Sequence, residues 1–276
     1  MMNEIEETPS YLMIIGAMKC GTSSLYINLI RHPDICPCIK KEPEYFTFDT
    51  EHESPYENLW QFDPQRHRFV IEASTGYTKF PLRTSVPQRI KSYGIDPHMI
   101  YIVRDPFARI ESDFNFAMPQ KWFDPELAIT DERYLCKSDY FLQLEEFRKV
   151  FGKEKLLLVD FDEFAASPNE HTNSIFKSLG LSSMQFEKQT EKKNVTRKLT
   201  YAERRIYSSR KLNSFFWSMP RIARGALRQA LIQLSSPSPK RKLTEDERFV
   251  IHKKLAPNML KFQEDYGFDI SKWGFS

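Results

Sequence analysis

The sequence predicts a three-layer α/β fold, in which a mainly parallel sheet is flanked by helices and followed by a helical C-terminal part. Two observations lead to this prediction. Short apolar runs alternate with segments of helical periodicity through most of the chain, and the last ~100 residues carry mainly helical patterns. With 276 residues, of which 41% are hydrophobic, the chain can build one large core. We therefore expect a single domain over residues 1–276.

The predicted strands are short apolar runs that lie between helical segments. In chain order they are YLMIIG (11–16), RFVIEAS (68–74), HMIYIVRDP (98–106) and KLLLVDF (155–161). The predicted helices are TSSLYINLIRH (22–32), 84–93, 106–117, 139–151 and 168–179. Because helices connect the strands, we expect the strands to be parallel and ligands to bind at their carboxyl ends.

Three further segments lie outside this alternation. Residues 1–10 are polar and acidic, and we expect them to be flexible. The stretch 213–234 is amphipathic, which suits a cover over a ligand pocket, a packing helix or a membrane-surface contact. The polar stretch SSPSPKRK (235–242) predicts a loop.

Composition excludes several classes of protein. The net charge is only +3, which does not favour a nucleic-acid partner. No apolar run reaches the ~20 residues of a membrane span, and the N-terminus lacks the basic and apolar segments of a secretory signal. The spacing of the four cysteines does not fit a metal site, so we expect no bound metal. We interpret the protein as soluble and cytoplasmic, and as a monomer or a homodimer.

The segment GAMKCGTSSL follows the first predicted strand and precedes the first predicted helix. Gly16 and Gly21 keep the glycine spacing of a nucleoside-triphosphate loop. Thr22 stands where that loop has its lysine, and Lys19 lies between the glycines instead. Backbone N–H groups of such a turn form an anion site together with the positive end of the helix dipole. We predict that Lys19 contacts the anion, and either Thr22 or Ser23 is suited to cap the helix.

A second anion element is predicted in IYIVRDPFARIESDF. Arg104 stands at the carboxyl end of a predicted strand, and Asp105 and Pro106 are suited to start the next helix. Arg109 and Ser112 lie one turn apart on the same face of that helix. An arginine fork with a serine hydroxyl can bind a phosphate dianion. The alternative is that Arg104 pairs with a core carboxylate and Ser112 is only a small helix residue.

These segments together resemble a known family. IIGAMKCGTSSL, KKEPEYF and IYIVRDPFARIESDF occur in the order and spacing of the PAPS-dependent sulfotransferases, in the branch that includes the heparan sulfate sulfotransferases and many bacterial homologues. LAPNMLKFQEDYGFDISKW resembles the closing helix and tryptophan of that branch, so the resemblance covers most of the chain. It implies a P-loop-like sulfotransferase fold with 3′-phosphoadenylyl sulfate (PAPS) as donor, adenosine 3′,5′-bisphosphate (PAP) as product, and no metal.

The resemblance also implies roles for the two anion elements. The first loop would bind the 5′-phosphosulfate of the donor, and the arginine–serine element would bind its 3′-phosphate. At the positions of this sequence that match the family's motifs, the resemblance implies these donor-binding residues: Lys19, Cys20, Gly21, Thr22, Ser23, Ser24, Arg104 and Ser112. A basic stretch that begins at Lys188 is interpreted as a solvated helix face or as a lid over the donor, with Arg197 and Lys198 as its candidate contacts.

The catalytic base is predicted in KKEPEYF. In-line sulfuryl transfer needs a base that takes the proton of the acceptor and a cation that stabilises the leaving phosphate. In the resembling branch the glutamate of a K-E-P motif is the base, which implies Glu42, while Glu44, His52 and Glu51 remain competitors. Lys19 is expected to stabilise the leaving phosphate.

The acceptor is expected to lie near Lys41 and the segment IEASTGYTKF. Lys41 would steer anionic groups or tune the neighbouring glutamate. Glu72, Ser74 and Tyr77 are candidate acceptor contacts or ordinary structural residues. Related carbohydrate enzymes have lysine-serine-proline where this chain has alanine, serine and threonine (73–75). We therefore expect a small-molecule acceptor with a hydroxyl or an amine, as in a tailoring step of secondary metabolism, rather than a carbohydrate.

Two other function classes remain open. A P-loop kinase would use LLLVD, which ends at Asp160, to supply a magnesium-holding aspartate. The displaced lysine and the Arg104 element count against this class. A non-catalytic nucleotide-binding protein would keep both anion elements but would not depend on Glu42.

Overall fold

Five parallel strands form the central sheet of the protein. The structure is a computed structural model that describes residues 8–186 and 198–275. The strands are β1 (Ser10–Gly16), β2 (Ile35–Pro37), β3 (Phe69–Glu72), β4 (His98–Val103) and β5 (Leu156–Asp160), and they lie in the order β2–β3–β1–β4–β5. Every neighbouring pair is parallel. The carboxyl end of β1 therefore opens at the middle of the sheet, between β3 and β4.

Helices follow the strands and flank the sheet. In the described residues the α-helices are α1 (Thr22–Leu29), α2 (Val86–Ser92), α3 (Pro106–Ala117), α4 (Glu132–Leu135), α5 (Tyr140–Phe151), α6 (Phe161–Ala166), α7 (Pro168–Ser178), α8 (Tyr201–Ser208), α9 (Arg210–Ser218), α10 (Arg221–Leu234) and α11 (Glu245–Tyr266). Helix α1 packs against α7, while α2 and α11 both pack against α5. The predicted three-layer α/β fold with a helical C-terminal part is confirmed.

The middle residues of the long strands are apolar because both faces of the sheet are covered. Ile14, Ile71 and Ile100 are at most 1% exposed. Burial of each such side chain contributes about 1.5–3 kcal/mol to folding. Helix α11 buries one face against the core, and its buried residues recur every three or four positions: Ile251, Leu255, Met259 and Phe262. Among the described helices, none combines the length and the apolar character needed to cross a membrane.

The sheet differs from the prediction at two places. Strand β2 was missed because it is an edge strand of three residues that ends in Pro37, and such a segment has no periodicity to detect. Strand β1 begins at Ser10, inside the segment predicted to be flexible, because its backbone pairs with β3 from that residue onward. Residues 1–7 lie outside the described residues.

The C-terminal part is more divided than predicted. The amphipathic stretch 213–234 is not one element, since it runs from α9 into α10 across an extended turn at Met219 and Pro220. Met219 is extended because a residue that precedes a proline is disfavoured in the helical conformation, and Pro220 is the N-cap of α10. Residues 235–242 connect α10 to α11 without a helix, and an isolated bridge joins Pro237 to Thr200.

Candidate active site

A cleft of about 440 Å³ opens at the carboxyl ends of the parallel strands. Its lining residues are Met18, Lys19, Gly21, Thr22, Ser23, Ser24, Glu42, Thr75, Arg104, Ser112, Phe116 and Phe161. The structure thus brings the first loop, the Arg104–Ser112 element and Glu42 together, although they are far apart in sequence. This is the position at which parallel α/β sheets bind ligands.

The loop between β1 and α1 forms one side of the cleft. Gly21 has a left-handed backbone with φ 85° and is the N-cap of α1. A Cβ at this position would lie 2.8 Å from the Phe161 ring, so only glycine fits. The predicted cap by Thr22 or Ser23 is wrong, because Gly21 takes that position and no side chain caps the helix. The amide of Ser24 donates to the carbonyl of Gly21 at 2.9 Å, so the amides that can serve an anion are those before it, at the positive end of the helix dipole.

Lys19 is a half-buried cation in this loop. Its backbone is left-handed, with φ 71°, and its Nζ lies 4.2 Å from the centroid of the Phe116 ring. Burial lowers the pKa of Lys19, the charge of Asp113 opposes this effect, and nearby cations, foremost Lys240, lower the pKa further. The Lys19 ammonium is therefore short of compensating negative charge, which a bound anion would supply.

Arg104 follows β4 and ties the second anion element to the first loop. Its guanidinium donates to the carbonyl of Lys19 over 3.3 Å and lies 4.6 Å from the centroid of the Phe161 ring. The hydroxyl of Tyr140 donates to the carbonyl of Arg104 at 2.6 Å. These contacts are to carbonyls and an aromatic ring, not to the core carboxylate of the alternative interpretation. Ser112, further along α3, lines the same cleft.

Arg109, which was predicted on the same helix face as Ser112, lies in the core instead. The Arg109 side chain is 0% exposed. Arg109 and Ser112 are three residues apart, so their side chains differ in direction by roughly 60° around the helix axis, and Arg109 is turned toward the interior. Its guanidinium donates to the carbonyls of Met18 at 3.4 Å and Tyr134 at 2.6 Å, and it pairs with Asp113 at 3.4 Å. Arg109 therefore supports the first loop from below and does not face a ligand.

Glu42 is a carboxylate on the cleft wall. The chain before it runs beside β3, because the amide of Ala73 donates to the carbonyl of Lys41 at 3.1 Å. Lys41 Nζ lies 2.5 Å from a carboxylate oxygen of Glu42, and the Glu42 side chain is 44% exposed. A molecule that enters the cleft from its open side can therefore reach this carboxylate.

Two of the competing bases lie away from the cleft lining. The carboxylate of Glu44 accepts a hydrogen bond from the amide of Gly76 at 3.0 Å and another from the hydroxyl of Thr47, so both oxygens have structural partners. His52 stacks on Tyr45 with ring centroids 3.6 Å apart. The geometry thus favours Glu42 as the group that meets a ligand.

Glu72, Ser74 and Tyr77 lie beneath the cleft and are 0%, 0% and 2% exposed. The hydroxyl of Tyr56 donates to Glu72 at 3.2 Å, and the hydroxyl of Ser74 accepts from the amide of Glu44 at 2.9 Å. Their burial and these hydrogen bonds favour the structural role that the sequence left open, and a contact with an acceptor stays a prediction.

Burial raises the pKa of Glu72 from 4.5 to about 7, and hydrogen bonds from neighbouring hydroxyls only partly offset it. A carboxyl whose pKa is raised in the folded state stabilises the fold below its unfolded pKa, and this contribution is lost as the pH rises through the folded value. We expect the free energy of unfolding to fall by roughly 2–3 kcal/mol more between pH 5 and pH 8 in the wild type than in Glu72→Gln. Urea unfolding at both pH values measures this difference. Glu53→Gln, at an exposed position, is the control, and equal pH dependence in wild type and Glu72→Gln would contradict the assignment.

Two predicted donor contacts, Cys20 and Lys198, are not on the cleft wall. The side chain of Cys20 is 0% exposed because it points into the core, and burial raises its pKa to about 12. Lys198 is exposed and is not among the lining residues, and Arg197 lies outside the described residues. All four cysteines are buried and free. In the described part of the chain, no group of three or more His, Cys, Asp or Glu side chains is placed to hold a metal ion.

Sequence reasoning missed several residues of the cleft. Thr75 and Phe161 follow β3 and β5, so the rule that ligands bind at the carboxyl ends of strands could have found them. Phe116 lies four residues after Ser112, on the same face of α3. Lys240, whose charge acts on Lys19, carries no such signal, because the position of a loop depends on tertiary packing.

Asp160, the aspartate of the kinase hypothesis, has a structural role. Its carboxylate caps α6 by accepting from the amides of Asp162 at 2.7 Å and Glu163 at 3.2 Å. It also pairs with Lys272 and is not among the residues that line the cleft. The position of this side chain therefore gives the kinase hypothesis no support.

The fold and the cleft together define a P-loop-like α/β protein with two anion elements and a carboxylate at one edge of the sheet. A family model described as the sulfotransferase domain matches residues 9–215. The chain belongs to this family.

Two curated relatives and one solved structure illustrate the similarity. The chain is 25% identical over 202 residues to mouse (Mus musculus) bifunctional heparan sulfate N-deacetylase/N-sulfotransferase 4, covering 64% of this chain and 23% of the relative. It is 26% identical over 198 residues to mouse heparan sulfate glucosamine 3-O-sulfotransferase 5, covering 64% of this chain and 55% of the relative. The chain thus spans only part of the length of these relatives. A sulfotransferase structure from Alicyclobacillus acidocaldarius shares the fold, with a TM-score of 0.65, 21% identity, and coverage of 96% of this chain and 98% of the other.

Proposed function

We propose that this chain transfers the sulfuryl group of PAPS to a hydroxyl or an amine of a small-molecule acceptor, with Glu42 as the base and Lys19 stabilising the leaving phosphate. The observation that carries the proposal is that Lys19, Arg104 and Glu42 line one cleft at the carboxyl edge of the sheet. Lys19 and Arg104 are cations that suit a nucleotide with an anionic group at each end, and Glu42 is a base that can take the proton of the acceptor.

The residues of the cleft fit the donor. Lys19 and the amides at the start of α1 would hold the 5′-phosphosulfate, because they line the cleft at a helix N-terminus, where anions bind. Arg104 and Ser112 would hold the 3′-phosphate by charge-assisted hydrogen bonds. The two elements are joined by the hydrogen bond from Arg104 to the carbonyl of Lys19, so the spacing between the two phosphate sites is set within the protein.

Each residue then has one chemical task. The donor supplies the sulfuryl group when it is bound. Lys19 places a positive charge where negative charge develops on the leaving phosphate, in a half-buried site where water screens little. Glu42 takes the proton of the acceptor hydroxyl or amine, and the charge of Lys41 beside it tunes this carboxylate.

A carbohydrate acceptor is the second candidate, and it is favoured by the names of the two heparan sulfate relatives. The absence of lysine at position 73 favours the small-molecule acceptor, for which we propose a cytoplasmic tailoring step. Incubating the enzyme with labelled PAPS, a metabolite extract and desulfated heparan in separate reactions distinguishes the two. Label in the polysaccharide alone would contradict the small-molecule proposal.

Binding of the product nucleotide tests the donor assignment. Without metal, PAP at 100 times its Kd should stabilise the folded protein by about 2.7 kcal/mol and so raise its melting temperature. ATP with magnesium should not raise it.

Arg104→Ala should weaken PAP binding ~10–100-fold, because it removes charge-assisted hydrogen bonds to the 3′-phosphate. Calorimetric titration measures this change, with the exposed Arg221→Ala as the matched control. Normal PAP affinity in Arg104→Ala would contradict the assignment of the 3′ site.

A further inference from the structure

One residue, Glu44, joins the segment that carries Glu42 to the loop after β3. The backbone of Glu44 is left-handed, with φ 55°, which is uncommon for a residue other than glycine. Its amide donates to the hydroxyl of Ser74 at 2.9 Å. One carboxylate oxygen accepts from the amide of Gly76 at 3.0 Å, and the other accepts from the hydroxyl of Thr47. Both the main chain and the side chain of Glu44 therefore hold the two loops together.

Gly76 shows how closely the two loops approach. A Cβ at this position would lie 1.8 Å from a carboxylate oxygen of Glu44. Any other residue at this position would displace the Glu44 carboxylate and break its hydrogen bonds. The neighbouring Thr75 lines the cleft, so the contact joins the wall that carries Glu42 to the wall that carries Thr75.

The carboxylate of Glu42 depends on this contact for its position. Within residues 8–186 and 198–275, its one side-chain partner is Lys41, and the side chains of Glu42 and Lys41 in this ion pair are 44% and 30% exposed. An exposed ion pair contributes only ~0–1 kcal/mol and cannot by itself fix a side chain in one place. The direction in which Glu42 points is therefore set by the backbone, which Glu44 anchors two residues further on.

We propose that Glu44 is a positioning residue, which holds the Glu42 carboxylate where it can take the proton of the acceptor and takes no proton itself. This inference rests on the proposed function, because it assigns Glu44 a task in the same reaction. A left-handed backbone at a residue other than glycine is strained, and such strain persists where surrounding contacts determine it. The hydrogen bond that the Glu44 amide donates to Ser74, and those that its carboxylate accepts from Gly76 and Thr47, are contacts of this kind.

Kinetics of three single variants test the inference. Glu44→Ala should lower kcat ~10–100-fold, since misplacing a catalytic group by about 1 Å has an effect of this size. The affinity for PAP should stay within about twofold, because the nucleotide contacts are on other loops. Gly76→Ala should reproduce the loss by displacing the Glu44 carboxylate. Glu44→Gln should lower kcat less than about fivefold, because the amide oxygen can still accept from the Gly76 amide and the amide nitrogen can donate to the Thr47 hydroxyl.

Double variants separate positioning from a general loss of structure. In the background of Glu42→Gln, the change Glu44→Ala should lower kcat little further, because it acts through a group that is already absent. A purely structural role would lower kcat by the same factor in both backgrounds. Full kcat in Glu44→Ala, or a loss in Glu44→Gln as large as in Glu42→Gln, would overturn the inference.

Hydrogen exchange provides a readout that does not need activity. In Glu44→Ala the amides of residues 42–47 should exchange faster than in the wild type, while those of residues 19–24 should not change. Thr47→Val, which removes a single hydrogen bond, is the milder variant if Glu44→Ala does not fold. A wild type that binds PAP but transfers no sulfuryl group contradicts the proposed function. An active wild type with unchanged exchange and kcat in the Glu44 and Thr47 variants contradicts this inference alone.

Discussion

Lys19→Ala is expected to lower kcat for sulfuryl transfer by ~10²–10³-fold, the loss typical when a preorganised donor to a developing negative charge is removed. The expectation follows from the position of the Lys19 ammonium, which lines the cleft and is half-buried. PAP affinity should fall less than kcat, because the loop amides still bind the 5′ end. Steady-state kinetics with labelled donor and a PAP titration measure the two quantities separately.

The pH dependence of donor binding gives Lys19 a distinct signature. Its protonated form attracts the anion, and burial lowers its pKa, so donor affinity should fall as the pH rises through this lowered pKa. Lys19→Arg keeps the charge at high pH and should move this loss of affinity to higher pH. Lys40→Ala, which removes an exposed lysine, is the control. A Lys19→Ala enzyme with the kcat of the wild type would show that the leaving phosphate is stabilised elsewhere.

Glu42→Gln is expected to lower kcat ~10²–10⁴-fold, because a general base contributes this much to a proton-transfer step. The change keeps the shape of the side chain and removes its capacity to take a proton. PAP should bind with unchanged affinity, since Glu42 contacts the acceptor side of the cleft in the proposed reaction. The measurement is kcat together with PAP affinity by calorimetry.

The remaining candidate bases supply matched controls for Glu42→Gln. Glu51→Gln and His52→Ala change exposed side chains of the same segment and should keep kcat near that of the wild type. A Glu42→Gln enzyme with near wild-type turnover, combined with a large loss in either control, would move the base to that residue.

The alternation of strands and helices was predictable because each buried strand is a continuous apolar run and each long helix has a clear periodicity. Helix α3 illustrates this, since Asp105 caps it through the amide of Phe107 at 2.9 Å and Pro106 begins it, as the sequence indicates. The N-cap of α1 was not predictable in the same way. Thr22 and Ser23 have the propensity, but the close approach of Phe161 selects Gly21.

The candidate site was predictable where a motif places a residue at the carboxyl end of a strand, as for Lys19 and Arg104. The site was not predictable where the role of a residue depends on whether its side chain is buried or faces the cleft. Whether Glu72 faces an acceptor or the core depends on the segment that covers it, and Tyr56 belongs to that segment. Glu42 and Glu44 have the same side chain two positions apart, and only the fold directs one to the cleft and the other to Gly76.

The crowding of positive charge around Lys19 has a consequence for turnover. Arg104, Arg109 and Lys240 disfavour its charged state and Asp113 favours it, so a bound polyanion would relieve the repulsion among these cations. In the proposed reaction PAP keeps a phosphate at each end and would obtain this relief as the donor does. We therefore expect the product nucleotide to bind tightly, so that turnover would depend on how fast PAP is removed from the surroundings.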